Sequence, residues 1–362
     1  MSRNALMGLM ILCLMLPAAA LGESETEEKR TYRILTRDQQ PLTDYCGVPD
    51  VGDEYIAGDN AHYRVTAVDH TQKTAEAEAL GAFAMPDVSW LRDDALPVAA
   101  ARKAVALYCT HSDESYEEAD GTSSDEKRGG IYDVAEQFKQ ALEKKGITVY
   151  YSDETHYPHD AGAYRRSRAT AAGLVEEGVD AVMDIHRDGI PNPEEYEGKA
   201  QGEEITRVRL LVGRSNQNAA SNKAFAAQIK AVADEMYPGL IKDIYIGKGT
   251  YNQDLMGQAV LLEFGTYTSD KQDVLTSTGY MAEVMEKALY GGVSGAAGGK
   301  TKTLSEADRG AFSGIVWVLA ALIVGALIYA FAAAGKGKPA LEKWKRGFRE
   351  MTGGLFQKWK KQ

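Results

Sequence analysis

Three short stretches carry side chains able to do metal-assisted chemistry. "YCTHSDESY" places His111 and Glu114 three residues apart, "MDIHRDG" sets His186 between Asp184 and Asp188, and "LLEFG" carries Glu263 two residues before its glycine. Two histidines and a carboxylate around an open position make a catalytic zinc site. The imidazoles are neutral nitrogen donors, the carboxylate supplies charge, and zinc brings the pKa of a bound water to about 7. A further carboxylate outside the ligand set can then act as general base. On this pattern alone a metal hydrolase and an inert cluster of strand-end residues are both open, because a His-x-x-Glu pair arises often by chance. The other histidines carry less. His62 and His70 have no metal-type neighbour, and His156 and His159 in "THYPHD" read as solvated loop histidines able to contact substrate.

The elements that must position these groups alternate. "AVALYCT", "ITVYYSD", "VDAVMDIHRD", "TRVRLLVGRS", "DIYIGKG" and "QAVLLEFG" read as strands, interleaved with amphipathic helices such as "GIYDVAEQFKQALEKKG". Strand-helix alternation implies an α/β fold, a mostly parallel sheet with helices on both faces. In such sheets ligands bind outside the carboxyl ends of the strands. His111, His186 and Glu263 all fall at such ends, a coincidence that favours a zinc site more than the His-x-x-Glu pair alone does, with the inert strand-end cluster still open. Residues 31–80 look β-rich, with hairpin signals, and form a small region of their own. No Gly-x-Gly-x-x-Gly, P-loop or Gly-x-Ser-x-Gly is present, which removes the common nucleotide and serine-hydrolase readings.

The ends of the 362-residue chain carry addresses. Residues 1–22 read as a secretory signal peptide, with one Arg, a short apolar run and small residues before the cleavage point. Residues 311–334, "AFSGIVWVLAALIVGALIYAFAAA", are uncharged and long enough for a transmembrane helix. The net charge is −11, yet residues 336–362 hold nine Lys or Arg and two Glu, a tail of +7 on a remainder of −18. By the positive-inside rule the tail is cytoplasmic and the body extracytoplasmic. The expected order is therefore a signal at 1–22, a leader and small β-rich region at 23–98, a catalytic domain at 99–292 and a linker at 293–310. The single-pass helix at 311–334 and a basic amphipathic tail at 335–362 complete it. The acidic body excludes nucleic acid as the main partner. Cys46 and Cys109 could pair or stay thiols.

"THSDESY", "GAYRRSRATA", "MDIHRDG", "VGRSNQNAASNKAFA", "YPGL", "YNQDL" and "LLEFGTYTSD" occur in this order over residues 100 to 290. Together they resemble the stage II sporulation protein P family. That resemblance implies a zinc-dependent cell-wall hydrolase with a fold similar to the N-acetylmuramoyl-L-alanine amidases. The implied reaction is cleavage of the amide between N-acetylmuramic acid and L-alanine of the peptidoglycan stem, with peptide crosslinks as a second target. The implied setting is wall remodelling at the sporulation septum, beside a partner resembling stage II sporulation protein D. Carried over by position, His111 and His186 are zinc ligands and Glu263 the catalytic carboxylate. Glu114 is the choice for third ligand, with Glu126 as the rival. Arg165 and Arg168 offer paired N–H donors to substrate carboxylates, and Asn252 is expected to line the cleft. The anchor departs from the family pattern, being C-terminal. A catalytically inactive peptidoglycan-binding scaffold that recruits other hydrolases is the alternative.

Overall fold

The computed structural model describes residues 31–92 and 102–291. The segments expected to be a signal peptide (1–22), a linker (293–310), a transmembrane helix (311–334) and a basic tail (335–362) lie outside the described residues. Among the described residues, no helix is long and apolar enough to cross a membrane.

The described chain opens with β-structure alone: β1 (Thr31–Thr36), β2 (Pro41–Cys46), β3 (Glu54–Ile56), β4 (Ala61–Asp69) and β5 (Thr74–Ala82). Strands and helices then alternate. β6 (Ala104–Tyr108) leads to the short α1 (Glu117–Asp120) and α2 (Ile131–Lys144), and β7 (Thr148–Tyr151) to α3 (Ala163–Glu176). β8 (Ala181–Asp188) is followed by a hairpin of β9 (Glu197–Ala200) and β10 (Glu203–Thr206). β11 (Val208–Gly213), α4 (Ala219–Met236), β12 (Ile241–Gly247), β13 (Ala259–Thr266) and α5 (Lys271–Tyr290) complete the order.

Two expectations about the sheet are corrected. β6, β7, β8 and β13 are mutually parallel, but β11 pairs antiparallel with β13, and β12 runs with β11. The sheet is thus mixed. The β-rich N-terminal strands are also no separate sheet: β3 pairs antiparallel with β12, so all join one 11-stranded sheet ordered β2-β1-β5-β4-β3-β12-β11-β13-β8-β6-β7. These strands lack the helical spacers that a sequence reader uses to assign strands to one sheet.

The pleat sorts the chemistry. Successive side chains of a strand point to opposite faces. Val105, Leu107, Met183, Ile185, Leu210, Leu262 and Ile244 share one core with α2, α4 and α5. Their neighbours Asp184, His186, Glu263, Arg209, Asp243 and Tyr245 therefore face the other way. There α3 covers β6 and β8 through Ala106, Tyr108, Ala171 and Val182. The N-terminal strands cover the rest, with Tyr245 buried among Ile34, Tyr55 and Val65. β2 is an edge in hydrogen bonding yet curls back over the face, where Tyr45 stacks on Tyr245 at 4.1 Å. Helices thus stand on both faces, but α3 shares its face with β-strands.

Cys46 and Cys109 are both thiols. The apolar core is close-packed: Phe138 of α2 is fully buried and its ring lies 5.6 Å from that of Phe264. Truncating a buried Phe removes its transfer energy and leaves a cavity. Phe138→Ala is expected to lower unfolding stability by roughly 3–5 kcal/mol in a denaturant titration, with the far-ultraviolet spectrum retained.

Candidate metal centre

The site begins where β6 ends. The loop after Tyr108 is drawn onto β8 by Asp184, whose carboxylate accepts from the Thr110 amide at 2.8 Å and the Thr110 hydroxyl at 2.7 Å. His111 follows at once. Glu114 is held from behind, since the amide of Ile131 at the start of α2 donates to its carbonyl at 2.9 Å. A Cβ on Gly129 would lie 2.2 Å from that same carbonyl oxygen, so this approach needs a glycine.

These constraints bring His111, Glu114 and His186 together, with one ligand atom from each lying within 4.8 Å of the others. Glu114 Oε1 lies 3.1 Å from His111 Nδ1 and 3.2 Å from His186 Nδ1. Its other oxygen accepts from the Arg187 amide at 2.9 Å. The His186 Nε2 sits 3.0 Å from Asp184 Oδ1, close enough for charge attraction but off the line of a hydrogen bond. Two imidazoles and one carboxylate oxygen, all held by buried partners, fit a tetrahedral zinc site with an open position.

Electrostatics divides the imidazoles. Burial, with His159 and His186 nearby, pushes the His111 pKa down to about 4 against the pull of Glu114, so this ring is neutral and can donate a lone pair. Burial opposes charge on His186 too, but Asp184 and Glu114 outweigh it and raise its pKa well above the ordinary value. Burial likewise opposes the Glu114 charge, and His186 and His111 hold its pKa well below the usual range.

Glu263 stands directly across the β13–β8 register from His186. One residue pair later the register slips, with Thr266 rather than residue 265 facing Asp188. Gly265 makes this bulge: its φ is +68°, and a Cβ there would meet Thr206 at 2.7 Å. A bulge of this kind re-aims the neighbouring side chains. The Glu263 side chain is 14 % exposed, and its carboxyl meets the Tyr196 hydroxyl at 3.3 Å and Arg209 Nη1 at 3.8 Å. Burial and the nearby Asp188 push its pKa up to about 8, with Arg209 pulling the other way.

Arg209, fully buried, anchors the next column of the same face. It binds Asp243 at 2.7 and 3.1 Å, Asp188 at 2.9 Å, and Thr43 and the Asp44 carbonyl of β2 at 2.7 and 3.1 Å. A register slip at Lys242 turns that residue to the same side as Asp243, and its ammonium bonds Asp243 at 2.8 Å. Burial would raise the Asp243 pKa, but Arg209 and Lys242 bring it down to about 2.

The remaining expected site residues divide. Glu126 is exposed and outside the cluster, leaving Glu114 as the carboxylate between the histidines. Arg165 is exposed. Arg168 is engaged in a paired contact with Asp254 at 2.8 and 2.6 Å. Asn252 is buried, its amide donating to the Tyr164 carbonyl and the Ser167 hydroxyl, both at 3.0 Å. These last two side chains pin α3 to the turn before β13. His156 is buried rather than solvated, bonded to the Cys109 carbonyl at 2.8 Å and to Thr170 at 3.0 Å.

Two further side chains border the site: His159, read from sequence as a solvated loop histidine, and Tyr164, which the sequence did not point to. His159 stacks on His111 with centroids 3.7 Å apart and pairs with Asp113 at 3.4 Å. Tyr164 lies edge-on to His111 at 5.4 Å and to Tyr251 at 5.3 Å. A second histidine in "THYPHD" was the one available signal for the first of these.

The family model described as stage II sporulation protein P matches residues 27–286. The chain belongs to the stage II sporulation protein P family. It is 28% identical over 221 residues to the stage II sporulation protein P of Bacillus subtilis (strain 168). That match covers 56% of this chain and 55% of the relative, so the chain spans about half the length of the curated protein it matches. Solved structures give weaker likenesses. The CwlD amidase from Clostridioides difficile, in complex with the GerS lipoprotein, is 13% identical with a TM-score of 0.36, covering 52% of this chain and 98% of that one. The catalytic domain of CwlV, an N-acetylmuramoyl-L-alanine amidase from Bacillus (Paenibacillus) polymyxa var. colistinus, is 14% identical with a TM-score of 0.33 over 52% and 98%.

Removing Asp243 would leave the Arg209 cation partly uncompensated inside the fold. Asp243→Asn is expected to cost about 3–5 kcal/mol in unfolding free energy. Because the Asp243 pKa is depressed to about 2 in the folded protein, its contribution is present above the ordinary carboxyl pKa and is lost as pH falls from about 4 toward 2. Acid titrations of parent and variant, followed by tryptophan emission, should show the parent losing the larger share of its stability across that window.

Proposed function

We propose that the chain is a zinc-dependent peptidoglycan hydrolase. Its reaction is cleavage of the amide between N-acetylmuramic acid and L-alanine of the stem peptide, with peptide crosslinks as a second target. The observation that carries this reading is the convergence of His111, Glu114 and His186 beside Glu263, on the open end of parallel strands. Family membership supports the setting: wall remodelling in sporulation, beside a partner resembling stage II sporulation protein D. The signal at 1–22 and the apolar run at 311–334 support an extracytoplasmic body on a single-pass anchor.

Bound zinc would supply a Lewis acid for the scissile carbonyl and a more acidic water. His111, Glu114 and His186 would hold it. Asp184 fixes the His186 ring, and Thr110 fixes Asp184, so the nitrogens are aimed before any ligand arrives. Outer-shell carboxylates placed against a ligand imidazole orient it and tune its basicity. Glu263 does the proton work. Its pKa near 8 lies close to the working range, where a carboxyl can both take a proton from attacking water and return it to the leaving nitrogen. Arg209 and the Tyr196 hydroxyl orient that carboxyl from behind.

Digestion of purified peptidoglycan by the full chain, read by mass spectrometry, tests this. Stem peptides should be released from intact glycan, and a chelator should stop the release. Glu263→Gln should slow cleavage by about 10²–10⁴-fold with metal content unchanged, while His186→Ala should lose both metal and activity. Retained wall binding with no cleavage at saturating zinc would instead favour the non-catalytic scaffold. Release of crosslink fragments alone would make the enzyme a peptidase.

A further inference from the structure

On the face that carries Glu263, a second polar recess opens beside the curled N-terminal strands. It is a cleft of about 440 Å³ whose charged and polar lining includes Arg33, Asp44, Glu195, Arg207 and Lys242. Tyr196 stands between it and Glu263. The Tyr196 hydroxyl meets the Glu263 carboxyl at 3.3 Å, and the Lys242 ammonium lies 5.2 Å from the centre of the same ring. The cleft is therefore about one tyrosine ring away from the proton-carrying carboxyl.

Its charges are not equivalent. Asp44 is already claimed by Arg33, with paired bonds at 2.8 and 3.1 Å. Glu195 is claimed by the Lys242 ammonium at 3.0 Å, the Thr43 hydroxyl at 2.9 Å and the Asp44 amide at 3.0 Å. Lys242 is further engaged by Thr43 at 2.7 Å and Asp243 at 2.8 Å. Arg207 differs. Among the described residues its guanidinium reaches only the Glu194 carbonyl, at a marginal 3.5 Å, and its buried Nε meets no acceptor. A buried donor left without a partner is costly, and a guanidinium presents its N–H groups in a fork that matches a carboxylate. Arg207 precedes β11 by one residue and lies two residues from Arg209, so the backbone separates their Cα atoms by only about 7 Å.

We propose that this cleft binds a free carboxylate of the stem peptide, with Arg207 as its specificity-determining residue. The proposal rests on the peptidoglycan reading above. A wall stem carries carboxylates within a residue or two of its first peptide bond, close to the span of the Tyr196 ring. Amidation of such a carboxylate removes the charge that Arg207 would pair with and should weaken binding. Charge-assisted, paired N–H contacts are the strong class of hydrogen bond, so the discrimination should be large.

The test uses the full chain and two synthetic probes: N-acetylmuramoyl-L-alanyl-D-glutamate with its γ-carboxyl capped as the methylamide and its α-carboxylate free, and the same capped compound as the α-amide. Calorimetry on Glu263→Gln protein, which leaves the probes uncut, gives both affinities. Expected is at least tenfold tighter binding of the acid, a preference reduced to within twofold by a further Arg207→Gln change and partly kept by Arg207→Lys. Equal binding of acid and amide, binding of neither, or an undiminished preference in Arg207→Gln would overturn the proposal. The comparison of probes without any change at Arg207 holds even if that variant does not fold. Wall digestion by parent protein is run beside it. Digestion without acid preference removes the cleft proposal alone, and acid preference without digestion removes the hydrolase reading while leaving a carboxylate site.

Discussion

A guanidinium with no exposure to water sits at the centre of the sheet, and much of the molecule is arranged to make it tolerable. Arg209 has Asp243, Asp188, Thr43 and the Asp44 carbonyl around it. Burial of a charge is costly unless it is paired and hydrogen-bonded. Two of those partners come from β2, at the far edge of the hydrogen-bonded sheet. The sheet must therefore curl until its N-terminal strands lie over the polar face. The Tyr45–Tyr245 stack and the Glu195 contacts to Thr43 and Asp44 hold the same closure. What looks like an appendage of the part that carries His111, Glu114 and His186 is the cover over its buried charges.

That cover also sets the electrical character of the site. Glu263 lies between Arg209 on one strand and His186 on the other, in a single row across the sheet. Arg209 is largely satisfied by Asp243 and Asp188, so it neutralises Glu263 only in part, and burial with Asp188 wins. The result is a carboxyl of raised pKa beside a triad whose own carboxylate is held ionised by histidines. Two acids on one face are thereby separated into different protonation roles by their neighbours.

The strand ends were legible in the sequence because apolar runs stop abruptly at His111, after His186 and at Glu263, and alternation with helices marks them as parallel. Glu114 was legible only as a candidate. Choosing it over Glu126 requires the path of the loop between β6 and α2, which depends on contacts at Asp184 and Gly129 far away in sequence. The reversal of β11 and β12, the one-residue slips at Lys242 and Gly265, and the joining of β3 to β12 are pairing choices between strands. A linear pattern of apolar and polar residues carries little of that information. The same reason explains Arg168 and Asn252: their donor chemistry is visible in the sequence, but the Asp254, Ser167 and Tyr164 partners that occupy them are not. His159 shows the converse, a loop residue brought onto His111 by folding alone.

Where a metal binds decides the chemistry of this face. Zinc titration of the full chain, with Glu114→Gln and Glu126→Gln alongside, addresses that directly through stoichiometry and affinity rather than activity. One zinc per chain in the parent, binding weakened by well over tenfold in Glu114→Gln, and unchanged binding in Glu126→Gln is the expected result. Full-strength binding in Glu114→Gln, or its loss in Glu126→Gln, would contradict the assignment of His111, Glu114 and His186 as the metal centre.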